Sequence, residues 1–383
     1  MTSARPGDGL HLQRLSRYAL TAGLVLALPC LVWLARDPGQ FERSYLIAFL
    51  FTLAPAGGAL ALLALHRLTG GRWGDALFEI LTAAARTLPV FALLFVPILL
   101  GLGAIFPWAS PDWAETEAAT RHKVLFFDAR FFVARAVVYL AVWSWLARVT
   151  LSPIVDPEAN RSQARGAVAL LAYVLTTTFA AFDWGMSLGP EWFSTIYGLI
   201  IILGQVLSAL CLAILIRWVL GRVNPERRLE IDVYHDLGTL LFAFVMTWAY
   251  LGFSQFLIIW SANIPEEVTW YMERLAPGWK VLASIIVAVH FAVPFLLLLM
   301  RKVKRKPGHL AWVCALVLAA RLPELIWLIV PAFHPEELHI HWLDVVMPLA
   351  LLCLWSSLTL GAIHKRLTSP SRPRSTLDST VAG

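Results

Sequence analysis

Charge is scarce in this chain. Asp, Glu, Lys and Arg make up 15% of its 383 residues, against about a quarter in soluble domains. With 59% hydrophobic residues and a mean hydropathy of +0.70, the composition excludes a soluble globular domain. Cysteine is scarce as well. Cys30, Cys211, Cys314 and Cys353 each stand alone in an apolar run, which excludes zinc and iron–sulfur sites built on closely spaced cysteine pairs. Of the ten histidines only His290 lies at the middle of an apolar run. A membrane haem held by two histidines needs a second such residue, so neither a b-type haem nor a metal site is expected. His334, His339 and His341, with Glu336 and Glu337, read instead as an exposed polar loop. No internal linker is long enough to divide the chain into domains.

What fills the chain is apolar sequence. About ten runs reach the roughly 20 residues needed to cross a ~30 Å hydrocarbon layer. They lie near 18–35, 43–66, 76–106, 128–148, 164–182, 194–218, 237–262, 279–300, 310–332 and 342–363. Unbroken runs in lipid must be helices, because barrel strands alternate. The expected fold is therefore an all-α polytopic membrane protein. Its organisation is a cytoplasmic N-terminal segment 1–16, a transmembrane domain 17–367 and a disordered cytoplasmic tail 368–383. The first run, basic before and apolar within, is read as a retained anchor rather than a cleaved leader.

Most of the 31 Lys and Arg residues fall in alternate connections, such as Arg301 to Lys306 and Arg222 to Arg228. That pattern orients a membrane protein with both termini cytoplasmic and argues against nucleic acid as a partner. Tryptophans gather near run ends, as an interfacial belt does. The outer connection from Pro107 to Phe127, with Trp108, Trp113, Asp112, Glu115 and Glu117, is a candidate partner contact.

Two polar hinges interrupt the apolar pattern. One is Phe182-Asp183-Trp184-Gly185-Met186-Ser187-Leu188-Gly189-Pro190-Glu191-Trp192-Phe193-Ser194; the other runs from Gln255 through Trp260 to Asn263-Ile264-Pro265-Glu266-Glu267. Under alternating topology both open on the outer side, with Arg135 at similar depth. Asp183, Arg135 and Gln255, ringed by Trp184, Trp192 and Trp260, suit the head group of an amphiphile such as a quinone, the carboxylate accepting a proton. These residues are expected at a quinone site or outer proton exit. Glu79, Arg86, His290, Arg321 and Glu324 lie within apolar runs, where a charge costs about 2.5–3.5 kcal/mol on insertion scales. They are expected to face inward, as a buried proton path or as packing salt bridges. Arg321 and Glu324, three residues apart, share a helix face and can pair directly. An internal echo relates Ala85-Arg86-Thr87-Leu88-Pro89 with Val96-Pro97 to Ala320-Arg321-Leu322-Pro323 with Val330-Pro331. Proline kinks around something polar are expected at both.

The Phe182-Asp183-Trp184 and Trp192-Phe193-Ser194-Thr195 segments, Phe253-Ser254-Gln255-Phe256, Asn263-Ile264-Pro265-Glu266-Glu267 and His290-Phe291 with Pro294-Phe295 resemble the F subunit of bacterial alternative complex III, an NrfD-like quinone-binding subunit 2. The resemblance spans roughly residues 43 to 365. It departs at Glu191, where many relatives carry His. It implies a pair of four-helix bundles plus flanking helices in a bacterial inner-membrane quinol:cytochrome c oxidoreductase. The implied partners are a paralogous NrfD-like membrane subunit, an outer-face iron–sulfur subunit, c-type cytochrome subunits and lipid. The implied ligand is quinone or menaquinone, with no cofactor bound covalently or through metal ligands. Read from the residues alone, a proton-coupled secondary transporter and a structural anchor of a redox complex remain open.

Overall fold

The computed structural model describes residues 6–110, 126–150 and 159–368. They form α1 (Pro6–Leu34), α2 (Pro38–Thr69), α3 (Arg72–Ala85), the short α4 (Val90–Leu94), α5 (Val96–Leu100) and α6 (Leu102–Ile105), α7 (Ala129–Thr150), α8 (Ala159–Trp184) and α9 (Tyr197–Val223). There follow α10 (Ile231–Ala262), α11 (Pro265–Arg274), α12 (Trp279–Ile286), α13 (Val293–Leu299), α14 (Arg301–Arg305), α15 (Pro307–Ile329) and α16 (Leu343–Thr368). Among the described residues nine helices are long and apolar enough to span a membrane, and a tenth results if α3 and the stretch 90–100, bent by 43°, count as one. This is an all-α polytopic membrane protein.

Local chemistry sets where these helices begin and end. Proline opens α2, α11 and α15 at positions where its missing N–H would be unpaired anyway. Asp37 caps α2, its Oδ1 accepting the Gln40 N–H at 3.0 Å. Asn263 closes α10 in the left-handed conformation at φ 48°, and its N–H reaches the Ile259 carbonyl at 3.0 Å. The Asn-Ile-Pro-Glu-Glu hinge is thus a helix stop followed immediately by a helix start.

The helices form a centre and a periphery. In α2, 89% of the apolar window is buried, and in α9 and α15 67%, whereas α1 has 11%, α10 17% and the span α12–α13 22%. The central α2 packs against α3, α8, α9 and α16, while α9 continues the core onto α10 and α15. Helix α1 lies along α16. Large apolar side chains such as Leu24, Val25 and Leu28 on α1 and Tyr250 and Phe253 on α10 are exposed, as lipid-facing positions are.

Two sequence expectations need amendment. Helix α1 starts at Pro6 rather than near 18, and the intervening polar turns are held by a hydrogen bond from Ser16 Oγ to the Ser357 carbonyl at 3.0 Å. The proline echo diverges: the chain breaks between Ala85 and Val90, but α15 runs through Pro323 to Ile329. At the first break Thr87 Oγ1 donates to the Ala84 carbonyl at 2.6 Å and receives the Trp355 indole N–H at 2.7 Å, so side chains satisfy part of the broken ladder. Of the outer connection, Trp113, Asp112, Glu115 and Glu117 lie outside the described residues, as do 1–5 and the tail from 369.

The α2–α9 crossing depends on one missing methyl. A Cβ at Gly58 would run into the backbone carbonyl of Gln205 and the Ala209 side chain, neither of which can rotate away. Gly58→Val is expected to separate α2 from α9 at the centre of the bundle and remove the monodisperse, thermally cooperative species in detergent. Gly252→Ala, on α10 with open space around it, is expected to leave both chromatography and Tm unchanged.

Candidate functional site

Asp183 occupies the last turn of α8, where the helix's unpaired carbonyls repel a carboxylate. It is almost fully buried, at 1% exposure. Arg135 on α7 answers both problems. Its Nε donates to Oδ2 and its Nη2 to Oδ1, each at 2.8 Å, a bidentate fork. Tyr139, one turn further along α7, donates its hydroxyl to Oδ2 at 2.8 Å. The Arg135 guanidinium also donates to the Phe126 carbonyl and lies between the rings of Phe126 and Phe131 at 4.1 and 4.4 Å. Ser187 Oγ donates to the Asp183 carbonyl at 2.5 Å and ties down the hinge. Trp184 packs into Phe49, Phe95, Tyr139 and Trp143. Asp183 is therefore fully engaged in a neutralised, hydrogen-bonded cluster.

A second cluster lies on α10, α15 and the segment between α12 and α13. Pro294 carries no N–H, and its ring conflicts with the carbonyl four residues back, that of His290. The chain relieves this by widening to a π-helical turn over Val287–Ala292. The turn carries His290, fully buried, with Nδ1 3.0 Å from Glu324 Oε2 in a contact off the axis of a hydrogen bond. Arg321 Nη1 bonds the same Oε2, as the three-residue spacing leads one to expect, and Trp248 Nε1 donates to Oε1 at 2.8 Å. The Trp248 ring lies 4.2 Å from that of His290. Arg321 fits because α9 offers Gly204 beneath its guanidinium, where a Cβ would collide with it.

Between this cluster and the second hinge is a cavity of about 590 Å³, bordered by α9, α10, α11, α12 and α15. Its wall is apolar, with Trp248, Gln255, Tyr271 and Glu324 as polar groups. The exposed Tyr250 and Phe253 stand on its rim, which opens it at the side of α10. Gln255 is buried; it accepts the Ser194 hydroxyl at 3.0 Å, and its Nε2 lies 3.4 Å from the Tyr271 oxygen. Burial pushes the Tyr271 phenol up to about 12, so it remains a neutral donor. Beside it on α11, burial drops Arg274 to about 10 despite the nearby Tyr197 and Glu273. Arg274 stays cationic near neutrality, donating to the carbonyls of Trp270 and Leu328 and stacking on the Trp270 ring at 3.7 Å.

The expected site residues thus divide. Asp183, Arg135 and Trp184 come together; Gln255 joins Ser194 and Tyr271 at the cavity; His290, Arg321 and Glu324 converge in a third place. Trp192 stacks on Trp270 at 4.4 Å, whereas Trp260 is exposed at 67% and rings neither Asp183 nor Gln255. Glu79 and Arg86 are corrected from interior positions to exposed ones. Glu79 lies on the exposed face of α3 within electrostatic reach of the cationic Arg217 and Arg366, which offset its charge, whereas Arg86, just past the end of α3, has the like charge of Arg366 nearby and is accommodated by its exposure. The structure adds residues that spacing did not single out: Tyr139, Trp248, Tyr271 and Arg274. Tyr139 had a signal, lying four residues from Arg135 on one helix face; Trp248 and Arg274 had none.

No family model matches this chain. A search of curated proteins also finds no match. Among the described residues no three His, Cys, Asp or Glu side chains gather in a metal-binding arrangement, and all four cysteines are free, Cys314 lying against Cys211.

The Asp183 cluster carries its own test. Arg135→Ala leaves an uncompensated buried carboxylate and is expected to destabilise by about 3–5 kcal/mol. Adding Asp183→Ala removes the stranded charge, so the double variant is expected to melt above Arg135→Ala alone when unfolding is followed in detergent.

Proposed function

We propose that this chain is the membrane subunit of a respiratory quinol:electron acceptor oxidoreductase, of the alternative complex III F-subunit type. The carrying observation is the lateral cavity of about 590 Å³ with Gln255 and Tyr271 at one end and Glu324 on its wall. An apolar enclosure of this size, open at the side of a lipid-facing helix and holding a few convergent polar groups, suits an amphiphile with a hydrogen-bonding ring and a prenyl tail. A quinone or menaquinone has that form.

In this reading Gln255 and Tyr271 orient the head group. The Glu324, Arg321 and His290 cluster and the outer-side Asp183, Arg135 and Tyr139 cluster are the groups through which protons leave. Oxidation of a quinol releases two electrons and two protons, and the electrons go to partners that hold redox centres. Those partners are proposed to be an outer-face iron–sulfur subunit and c-type cytochromes, beside a paralogous NrfD-like membrane subunit. Both termini face the cytoplasm of a bacterial inner membrane, which the distribution of Lys and Arg supports.

The resemblance of the two hinges and of His290-Phe291 with Pro294-Phe295 supports the assignment. Of the residues expected at a quinone site or outer proton exit, this reading keeps Gln255 at the head group and gives Asp183 and Arg135 to the proton exit, because the Asp183 carboxylate already accepts from Arg135 and Tyr139.

Purification in mild detergent tests the class. Iron–sulfur and c-haem polypeptides are expected to copurify, and Gln255→Leu and Glu324→Gln are expected to lower quinol:cytochrome c activity about tenfold or more, as loss of a positioned polar group does. Copurification of no redox protein, together with proton-coupled uptake by the chain alone in liposomes, would make it a transporter instead.

A further inference from the structure

Between the two charged clusters lies a second, far smaller cavity. Its volume is about 20 Å³, and its wall draws on α2, α7, α8, α9 and α15. Trp184 and Thr177 come from α8, Tyr197 and Gln205 from α9, and Leu325 from α15. Trp184 is at 1% exposure and Thr177 also at 1%. Trp184 Nε1 has no hydrogen-bonded partner in the protein, and the Thr177 hydroxyl has the Tyr173 phenol as its polar neighbour. The Tyr197 hydroxyl abuts the bare backbone of Gly185 on the same wall. Gln205 accepts the Tyr173 hydroxyl at 2.5 Å through Oε1 and brings its amide group to the same place.

A buried water needs roughly 10–15 Å³ open to its centre and two to four polar partners. The cavity satisfies the first condition, and Trp184, Thr177, Tyr197 and Gln205 satisfy the second. A dry cavity of this size is expected only where the lining is apolar, and here it would strand an indole N–H deep in the bundle. We infer that this cavity is a resident-water site, the water accepting from Trp184 Nε1 and bonding to the Thr177 and Tyr197 hydroxyls and the Gln205 amide.

Trp184 follows Asp183 in the chain, Leu325 follows Glu324, and Gln205 follows Gly204, on which Arg321 rests. The cavity wall is thus built in part from the chain neighbours of residues in both ion clusters. The water's presence depends on hydration alone and stands whether or not the chain takes part in quinol oxidation.

X-ray radiolytic hydroxyl labelling of the purified wild-type protein, read by mass spectrometry, tests it. Radicals generated from a bound water oxidise the side chains around it. Trp184 and Tyr197 are expected to be oxidised several-fold faster than Trp355, which is equally buried but whose indole N–H is bonded to Thr87. Ala181→Leu, which fills the wall from α8, is expected to abolish the excess at Trp184 while leaving exposed residues labelled as before. Oxidation of Trp184 and Tyr197 at the rate of Trp355, or an excess that persists in the filled variant, overturns the inference.

Discussion

Everything polar inside this bundle answers to one constraint, the cost of an unpaired charge in a medium that cannot solvate it. Asp183 is held only because Arg135 forks onto it and Tyr139 completes its shell. Glu324 is held because Arg321, Trp248 and His290 surround it. Each cluster in turn dictates backbone. Gly204 must be bare beneath Arg321, and a π-helical turn must carry His290. Helix geometry here follows from charge compensation as much as from apolar packing.

The two clusters differ in what they leave free. Around Asp183 the carboxylate oxygens are fully engaged by side chains on neighbouring turns of a single helix, which makes that end of the molecule a staple between α7 and α8. Around Glu324 the ligands come from three separate segments, and the carboxylate also borders a roomy cavity. A group shared among peripheral helices and open to a guest is better suited to change its partners than one locked by a fork. The periphery that frames the cavity, α10 and α12–α13, is also the least buried part of the described chain apart from α1.

Much of the fold was legible in the sequence because lipid imposes length and composition on each span, and the ten apolar runs correspond to nine long helices and one bent pair among the described residues. Pairing within a helix was legible too, since Arg321 and Glu324 share a face through backbone geometry alone. What escaped was pairing across helices. Nothing in linear order says that Trp248 reaches Glu324 or that Arg274, in a short surface-looking helix, is buried against Leu328. Glu79 and Arg86 were misread for a related reason: a charge within an apolar run suggests burial, but α3 is amphipathic and ends at a break, so both charges turn outward.

The π-turn at Val287–Ala292 has one more implication. A turn of this kind holds one residue more than the helix around it, so everything beyond it is rotated by about 100° relative to an uninterrupted α-helix. The face that α13 shows to α10 and the face that α12 shows to α15 are therefore set independently, with His290 at the seam. A helix that could present only one stripe thereby serves two neighbours lying in different directions.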